Sequence, residues 1–123
     1  MRERGSATVE FALVLPLVLL TTLALLQIGL VGKEALVVAQ AAREAAREAA
    51  VTTDEARVRD AAIRGGRLDP ARSDVEVSRS GGAGDPVTVL VRYRAALIVP
   101  LLPWLLPGEV TIRSSATMRQ EAV

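Results

Sequence analysis

Twenty-two consecutive residues without a charged side chain, Phe11 to Gly32, constrain this chain more than any other feature. They are mostly Leu, Val, Ala and Ile, and the run is long enough to cross a bilayer as one helix. A secretory signal peptide has a shorter apolar region, closely followed by a small-residue cleavage site. The nearest A-x-A, Ala39 to Ala41, comes only after Lys33 and Glu34. We therefore expect residues 6–32 to be a retained transmembrane segment.

The charges that flank this run predict its orientation. On the N-terminal side, Arg2, Arg4 and the terminal amine outweigh Glu3, whereas Lys33 and Glu34 cancel on the other side. Positive charge favours the cytoplasmic face. We expect a single-pass protein of the cytoplasmic membrane, with its N-terminus in the cytoplasm and everything after the span extracytoplasmic.

Composition disfavours catalysis. The chain contains no histidine and no cysteine, so Ser-His or Cys-His catalysis, thiol redox chemistry and sites built on His or Cys ligands lack their usual groups. We predict no enzymatic activity, no cofactor and no metal. Beyond Lys33, 12 Arg are balanced by 12 acidic residues, so we expect no specific binding of nucleic acid, which a basic excess would favour.

After the apolar run, residues 33–50 consist mostly of good helix formers and contain neither Gly nor Pro. We predict one helix from Ser6 to Ala50, roughly 68 Å long, with residues 33–50 as its extracytoplasmic continuation and a bend at Pro16. One side carries Ala35, Val38, Ala39, Ala42, Ala45, Ala46, Ala49 and Ala50, and the other carries Gln40, Arg43, Glu44, Arg47 and Glu48. The small side chains allow close approach, and we expect part of this side to pack on the chain's own C-terminal sheet. The residues proposed for helix packing are Phe11, Pro16, Ala42, Ala46 and Ala49.

A short second helix is expected within residues 51–66. Thr52 and Glu55 have the spacing of a capping box, which predicts a helix from about Thr53 to Arg64. The glycines at 65 and 66 should end it.

The rest of the chain, residues 67–123, has the alternation of β-strands. Strands are predicted at Ser73 to Ser80, Val87 to Ala95 and Glu109 to Arg119, with a turn at the glycine-rich segment 81–86. A three-stranded antiparallel sheet with one apolar face must bury that face against another element. We expect that element to be the long helix. The fold class is therefore α+β: a long N-terminal helix, a short helix, and a small three-stranded antiparallel sheet packed on the long helix.

Between the last two strands lies an apolar connector, residues 96–108, whose prolines forbid a regular strand. It is too apolar for open solvent. Either it folds over the small core as a lid, or it is a docking patch for a partner or the membrane surface. Pro100, Pro103 and Trp104 are the candidate docking residues.

Four arginines on two strands, Arg92, Arg94, Arg113 and Arg119, would form a basic sheet face if the strands pair in register. Such a face could hold an anionic surface. The alternative is an ordinary polar face, with Asp74, Glu76 and Glu109 supplying the opposite charge. The alternative function for the chain follows from this face: a membrane-anchored extracytoplasmic binding module for adhesion or DNA binding.

A carboxylate, Glu10, stands at the entrance to the apolar run, where it is unfavourable without a partner. A cut after Gly5 would give Ser6 a free ammonium four residues from Glu10. That ammonium would supply the compensating charge.

The string from Arg2 to Leu20, RERGSATVEFALVLPLVLL, resembles the processing site and helix start of type IV pilin-like proteins, and in particular the TadE-like subunits of tight-adherence (Flp-type) pili. The C-terminal part is also similar, in Val89, Val91 and Tyr93, the apolar connector, and residues 116–121. The related TadF-like subunits share much of this pattern.

The resemblance implies a minor pilin-like structural subunit that acts in bacterial pilus assembly, secretion and adhesion. Residues 1–5 would be a leader that a prepilin peptidase removes between Gly5 and Ser6, and Glu10 would be a charge contact inside the assembly. The implied partners are that peptidase, other pilin-like subunits in a hetero-oligomer, the inner-membrane assembly platform and the membrane. After assembly the protein would lie in the pilus at the cell surface.

Overall fold

The long helix organises the fold. The computed structural model describes residues 2–96 and 108–121. In it, α1 (Arg2–Ala49) is one uninterrupted helix that includes Pro16. Its 48 residues correspond to about 72 Å. The helix begins four residues earlier than expected, because the arginines and glutamate before Gly5 are good helix formers.

A three-stranded sheet follows two short helical elements. The order along the chain is α2 (Glu55–Gly66), a 3-10 turn (Pro70–Arg72), β1 (Ser73–Arg79), β2 (Pro86–Ala96) and β3 (Glu109–Arg119). The strands form an antiparallel meander in the order β1-β2-β3. Ser73 pairs with Tyr93, and Pro86 pairs with Arg119. The predicted α+β fold, with its two helices and three strands, is confirmed.

The core lies between the C-terminal half of α1, α2 and one face of the sheet. The strands alternate as predicted, since Val87, Val89 and Val91 of β2 are fully buried while the residues between them are not. The buried residues of α1, together with the residue that follows it, are small: Val38, Ala41, Ala42, Ala45, Ala46, Ala49 and Ala50. We call these seven residues the alanine face.

The alanine face differs from its prediction at three positions. Ala35 and Ala39 were expected on the buried side, but Ala35 is exposed and Ala39 is half-buried, whereas Ala41, which was not placed there, is fully buried. The burial of Ala41 follows from α2, which packs beside the sheet. A side chain at Gly66 of α2 would come within 2.9 Å of the Cβ of Ala41, so the second helix extends the buried face of α1 in that direction.

The ends of α2 also differ from the sequence prediction. The N-cap is Asp54, whose carboxylate accepts a hydrogen bond from the backbone N–H of Ala56 at 3.0 Å. The Thr52 hydroxyl accepts instead from the backbone N–H of Asp54 at 3.2 Å. An Asp caps as well as a Thr, so the capping-box spacing misplaced the start by two residues.

The glycines at 65 and 66 belong to the last turn of α2 and do not follow it. Arg67 takes the left-handed conformation at the C-cap, with φ 51°. The two glycines are needed for close packing, because a Cβ at Gly65 would lie 2.9 Å from the Cβ of Glu44 on α1.

Gly66→Ala is expected to destabilise the protein. The new Cβ would lie 2.9 Å from the Ala41 Cβ and 3.0 Å from the Leu68 Cγ, and overpacking of this kind costs about 1–3 kcal/mol. That cost outweighs the roughly 1 kcal/mol that alanine contributes through helix propensity. The measurement is chemical unfolding of the full chain in detergent. Gly82→Ala is the control, since its Cβ would meet nothing within 4 Å, and a Gly66→Ala variant as stable as wild type would contradict the close packing.

Candidate functional site

The N-terminal part of α1 exposes an unusually large apolar surface. It is the one helix of the described residues that is long and apolar enough to cross a membrane, judged by length and composition, and its most apolar window is 0% buried. Its exposed large side chains are Val9, Phe11, Leu13, Val14, Leu15, Leu17, Val18, Leu19, Leu20, Leu25, Leu26 and Ile28. A continuous patch of this size needs a lipid or protein partner. We call residues 6–32 the apolar stalk.

The predicted cleavage site lies at the free end of the stalk. Gly5 and Ser6 are exposed and helical, and a Cβ at Gly5 would meet nothing within 4 Å. Glu10 is also exposed, one helical turn after Ser6, so the two residues share one side of the helix. Among the described residues Glu10 has no ion-pair partner.

The hydroxyl groups of the stalk bond locally. Thr21 and Thr22 each donate to the backbone carbonyl four residues earlier, Leu17 and Val18, at 2.8 Å. Both hydroxyls therefore return to the backbone of their own helix. The two threonines therefore present little unsatisfied polarity to lipid.

The five residues proposed for helix packing fall into two environments. Phe11 and Pro16 are exposed on the stalk, with Phe11 66% exposed. Ala42, Ala46 and Ala49 are fully buried within the chain's own core. The first pair is thus available to other molecules, and the three alanines already have their partners.

Arg79 closes the C-terminal end of α1, a role that the sequence did not indicate. Its Nη1 donates to the carbonyl oxygen of Ala49 and to Oε1 of Gln120, both at 2.9 Å, and its Nη2 donates to the carbonyl oxygen of Thr52 at 2.6 Å. The last carbonyl groups of a helix lack hydrogen-bond partners within the helix. They form the negative end of the helix dipole, which favours a nearby cation. A single guanidinium therefore joins α1 to β1.

Gln120 completes this junction. It is 2% exposed, and its Nε2 donates to the carbonyl of Gly81 at 3.1 Å. The next backbone N–H, that of Glu121, donates to the Ala50 carbonyl at 2.9 Å. The arrangement, which we call the helix-end clasp, brings together residues that are 27 or more positions apart along the chain. No local sequence signal marks such a contact.

The proposed basic face is formed by neighbouring strands, but its charges are partly compensated. Arg92 lies directly opposite Arg113 in the register of β2 and β3. The Nη2 of Arg92 is 3.4 Å from Oε2 of Glu76 on β1. This is an exposed pair of the kind that contributes little to stability, yet it reduces the positive charge between the two arginines.

The other two arginines of that face bond to backbone. Arg94 Nη2 donates to the Ala71 carbonyl at 2.8 Å, and Arg119 Nε donates to the Gly84 carbonyl at 3.0 Å. Among the described residues, Arg113 is the one of these four arginines whose side chain has no hydrogen bond or ion pair. The geometry thus gives no specific support to the binding-module alternative.

Three further sequence predictions concern the connector, metal binding and the glycine-rich turn. The connector residues Pro100, Pro103 and Trp104 lie outside the described residues. Within residues 2–96 and 108–121, no group of three or more Asp or Glu side chains is arranged to hold a metal ion. The glycine-rich segment between β1 and β2 is a turn, as predicted, and Gly84 there has φ 92°, a conformation that favours glycine.

A family model described as TadE-like protein matches residues 5–47. The match confirms the resemblance of the N-terminal part, from the predicted cleavage site through the apolar stalk to most of the alanine face. It does not extend to the C-terminal part, where the resemblance stays a prediction. No curated protein and no solved structure is significantly similar to the chain. The matched family is associated with Tad pili and is structural, not enzymatic.

Arg79→Met is expected to destabilise the protein by about 3 kcal/mol, because hydrogen bonds from a charged donor contribute about 1.5–3 kcal/mol and buried carbonyls would lose their partner. Urea unfolding of the full chain in detergent measures the change. Arg113→Met is the matched control, since it removes an exposed arginine without a partner among the described residues, and it should stay within about 0.5 kcal/mol of wild type. Equal stability of the two variants would show that the helix-end clasp does not hold the fold.

Proposed function

We propose that this chain, TadE-like over residues 5–47, is a minor pilin-like structural subunit of a tight-adherence pilus. It inserts into the cytoplasmic membrane with its N-terminus in the cytoplasm and the domain from residue 33 onward outside. A prepilin peptidase cuts it after Gly5, and the assembly platform moves it into a complex with other pilin-like subunits through the apolar stalk.

The observation that carries this proposal is the contrast between the two halves of α1. The stalk is apolar and exposed, whereas the alanine face is buried by the chain's own sheet and second helix. A stalk of this kind is stable in lipid, and it is equally stable among the stalks of neighbouring subunits, where side chains pack closely. One helix can thus move from membrane to pilus while the folded domain remains unchanged.

Cleavage requires a local change at the start of the helix. A protease binds its substrate in extended form, and residues 4–6 are helical. Unwinding is inexpensive here because helix ends fray and glycine is a poor helix former. Among the described residues nothing lies within 4 Å of a Cβ at Gly5, so no packing contact at this position opposes unwinding.

The mature protein is expected to begin at Ser6. Intact-mass measurement or N-terminal sequencing of protein from cells with the matching peptidase tests this. Gly5→Leu should leave the chain uncut, whereas Gly29→Leu, at a second helical glycine with open space around it, should be cut normally. A wild-type chain that still starts at Met1, or one that starts beyond Gly32, contradicts the proposed subunit role.

Glu10→Gln is expected to impair assembly and leave insertion intact. Once the Ser6 ammonium and the Glu10 carboxylate are buried among neighbouring stalks, removing the carboxylate leaves an unpaired buried cation, which can cost several kcal/mol. Insertion should not suffer, because a neutral side chain enters the membrane more easily. Immunoblots of the membrane pool and of sheared surface pili separate the two steps.

Glu3→Gln is the control for that experiment, because residue 3 belongs to the leader and is absent from the assembled protein. It should enter pili like wild type. Incorporation of Glu10→Gln at the wild-type level would mean that Glu10 makes no assembly contact.

A further inference from the structure

A cavity of about 300 Å³ lies where the apolar stalk meets the folded domain. Leu30, Val31, Lys33 and Glu34 of α1 line one side, and Arg72 and Tyr93 of the domain line the other. We call this space the boundary cavity. Arg72 and Tyr93 are adjacent because Ser73, the residue after Arg72, pairs with Tyr93 across the sheet.

The depth of the boundary cavity follows from the length of the stalk. About 20 residues span the hydrocarbon core of a bilayer, so a span that begins at Phe11 ends near Leu30. Lys33 is three residues further, about 4.5 Å along the axis. This places Lys33 within the layer of lipid headgroups, which extends roughly 5–8 Å beyond the hydrocarbon on each side.

The lining of the boundary cavity matches the chemistry of that layer. The apolar Leu30 and Val31 and the polar Gln27 line its deeper part, towards the acyl chains. Two cations, Lys33 and Arg72, and one carboxylate, Glu34, also line it. The guanidinium of Arg72 is not firmly engaged, since its Nε is 4.0 Å from Oδ2 of Asp69 and the side chain is 38% exposed. It can therefore turn towards an anion in the cavity.

We propose that the boundary cavity binds the headgroup of an anionic phospholipid, with Lys33 and Arg72 on its phosphate, the Tyr93 hydroxyl at its rim, and Leu30 and Val31 against the first part of an acyl chain. This inference rests on the proposed membrane span. Such a lipid would hold the domain against the membrane surface until the subunit is extracted, and it would have to leave on assembly.

The test uses the full chain in nanodiscs that contain equal amounts of phosphatidylglycerol and phosphatidylcholine, with native mass spectrometry to count the retained lipids. Wild type should retain phosphatidylglycerol. Lys33→Gln and Arg72→Gln should each reduce this retention by about fivefold, the effect of one cation close to an anionic surface. Detergent melts of the variants should match wild type, because among the described residues neither side chain has a hydrogen bond or a close ion pair.

Two controls separate a site from diffuse attraction. Arg43→Gln makes the same charge change about 20 Å beyond Leu30, further than the screening length, and should retain lipid like wild type. The double variant Arg72→Gln/Ala35→Arg restores a cation at headgroup depth, but about 200° around the helix from Lys33, on an exposed position outside the cavity. It should not recover the lipid; recovery would overturn the site.

Inorganic phosphate is the second probe. If millimolar phosphate raises the melting temperature of wild type in discs of phosphatidylcholine alone, the cavity takes a free anion and the lipid assignment is wrong. Insertion into discs is measured on the same samples. A wild-type chain that does not insert overturns the membrane span and this site together, whereas normal insertion with equal retention by all variants overturns the headgroup site alone.

Discussion

The rest of this structure depends on one constraint: α2 and the sheet must both approach closely to the row of alanines on α1. The chain has one Phe, one Tyr and one Trp, and the largest fully buried apolar side chains are valines. Small side chains bury little area each, so the elements must come near enough for dense contact. Gly65 and Gly66 make this possible on α2, where any Cβ would collide with α1. The position of the second helix, and through it the width of the buried face of α1, follows from that requirement.

The surroundings of α1 change along its length, and the change occurs within a few residues. Up to Ile28 most of its large side chains are exposed and apolar, and from Val38 onward its inner side is buried by the domain. The helix-end clasp holds the C-terminal end of α1, because Arg79 and Glu121 donate hydrogen bonds to the carbonyls of Ala49 and Ala50. One continuous helix thus joins the domain to the stalk.

The sequence-based prediction was most accurate where one residue pattern had one physical meaning. Period-two alternation located β2 and β3 to within one residue at each end, since only the side chains of one face can be buried. It was less accurate at the start of α2, where Thr52 and Asp54 are both competent caps and local spacing does not choose between them. The glycines at 65 and 66 were read as a stop signal, whereas their role is set by Glu44 and Ala41 on another helix.

The sequence by itself determined the long apolar helix, the number and alternation of the strands and the position of the Gly5 to Glu10 segment, because each depends on composition or on neighbours within a few residues. Only the tertiary structure decided that Ala41 is buried and Ala35 exposed, that Arg79 and Gln120 close the end of α1, and that Arg72 and Tyr93 face Lys33 across a cavity. These features join residues far apart along the chain. Their geometry depends on how closely the sheet and α2 approach α1, and that distance is set by the packing of the whole core.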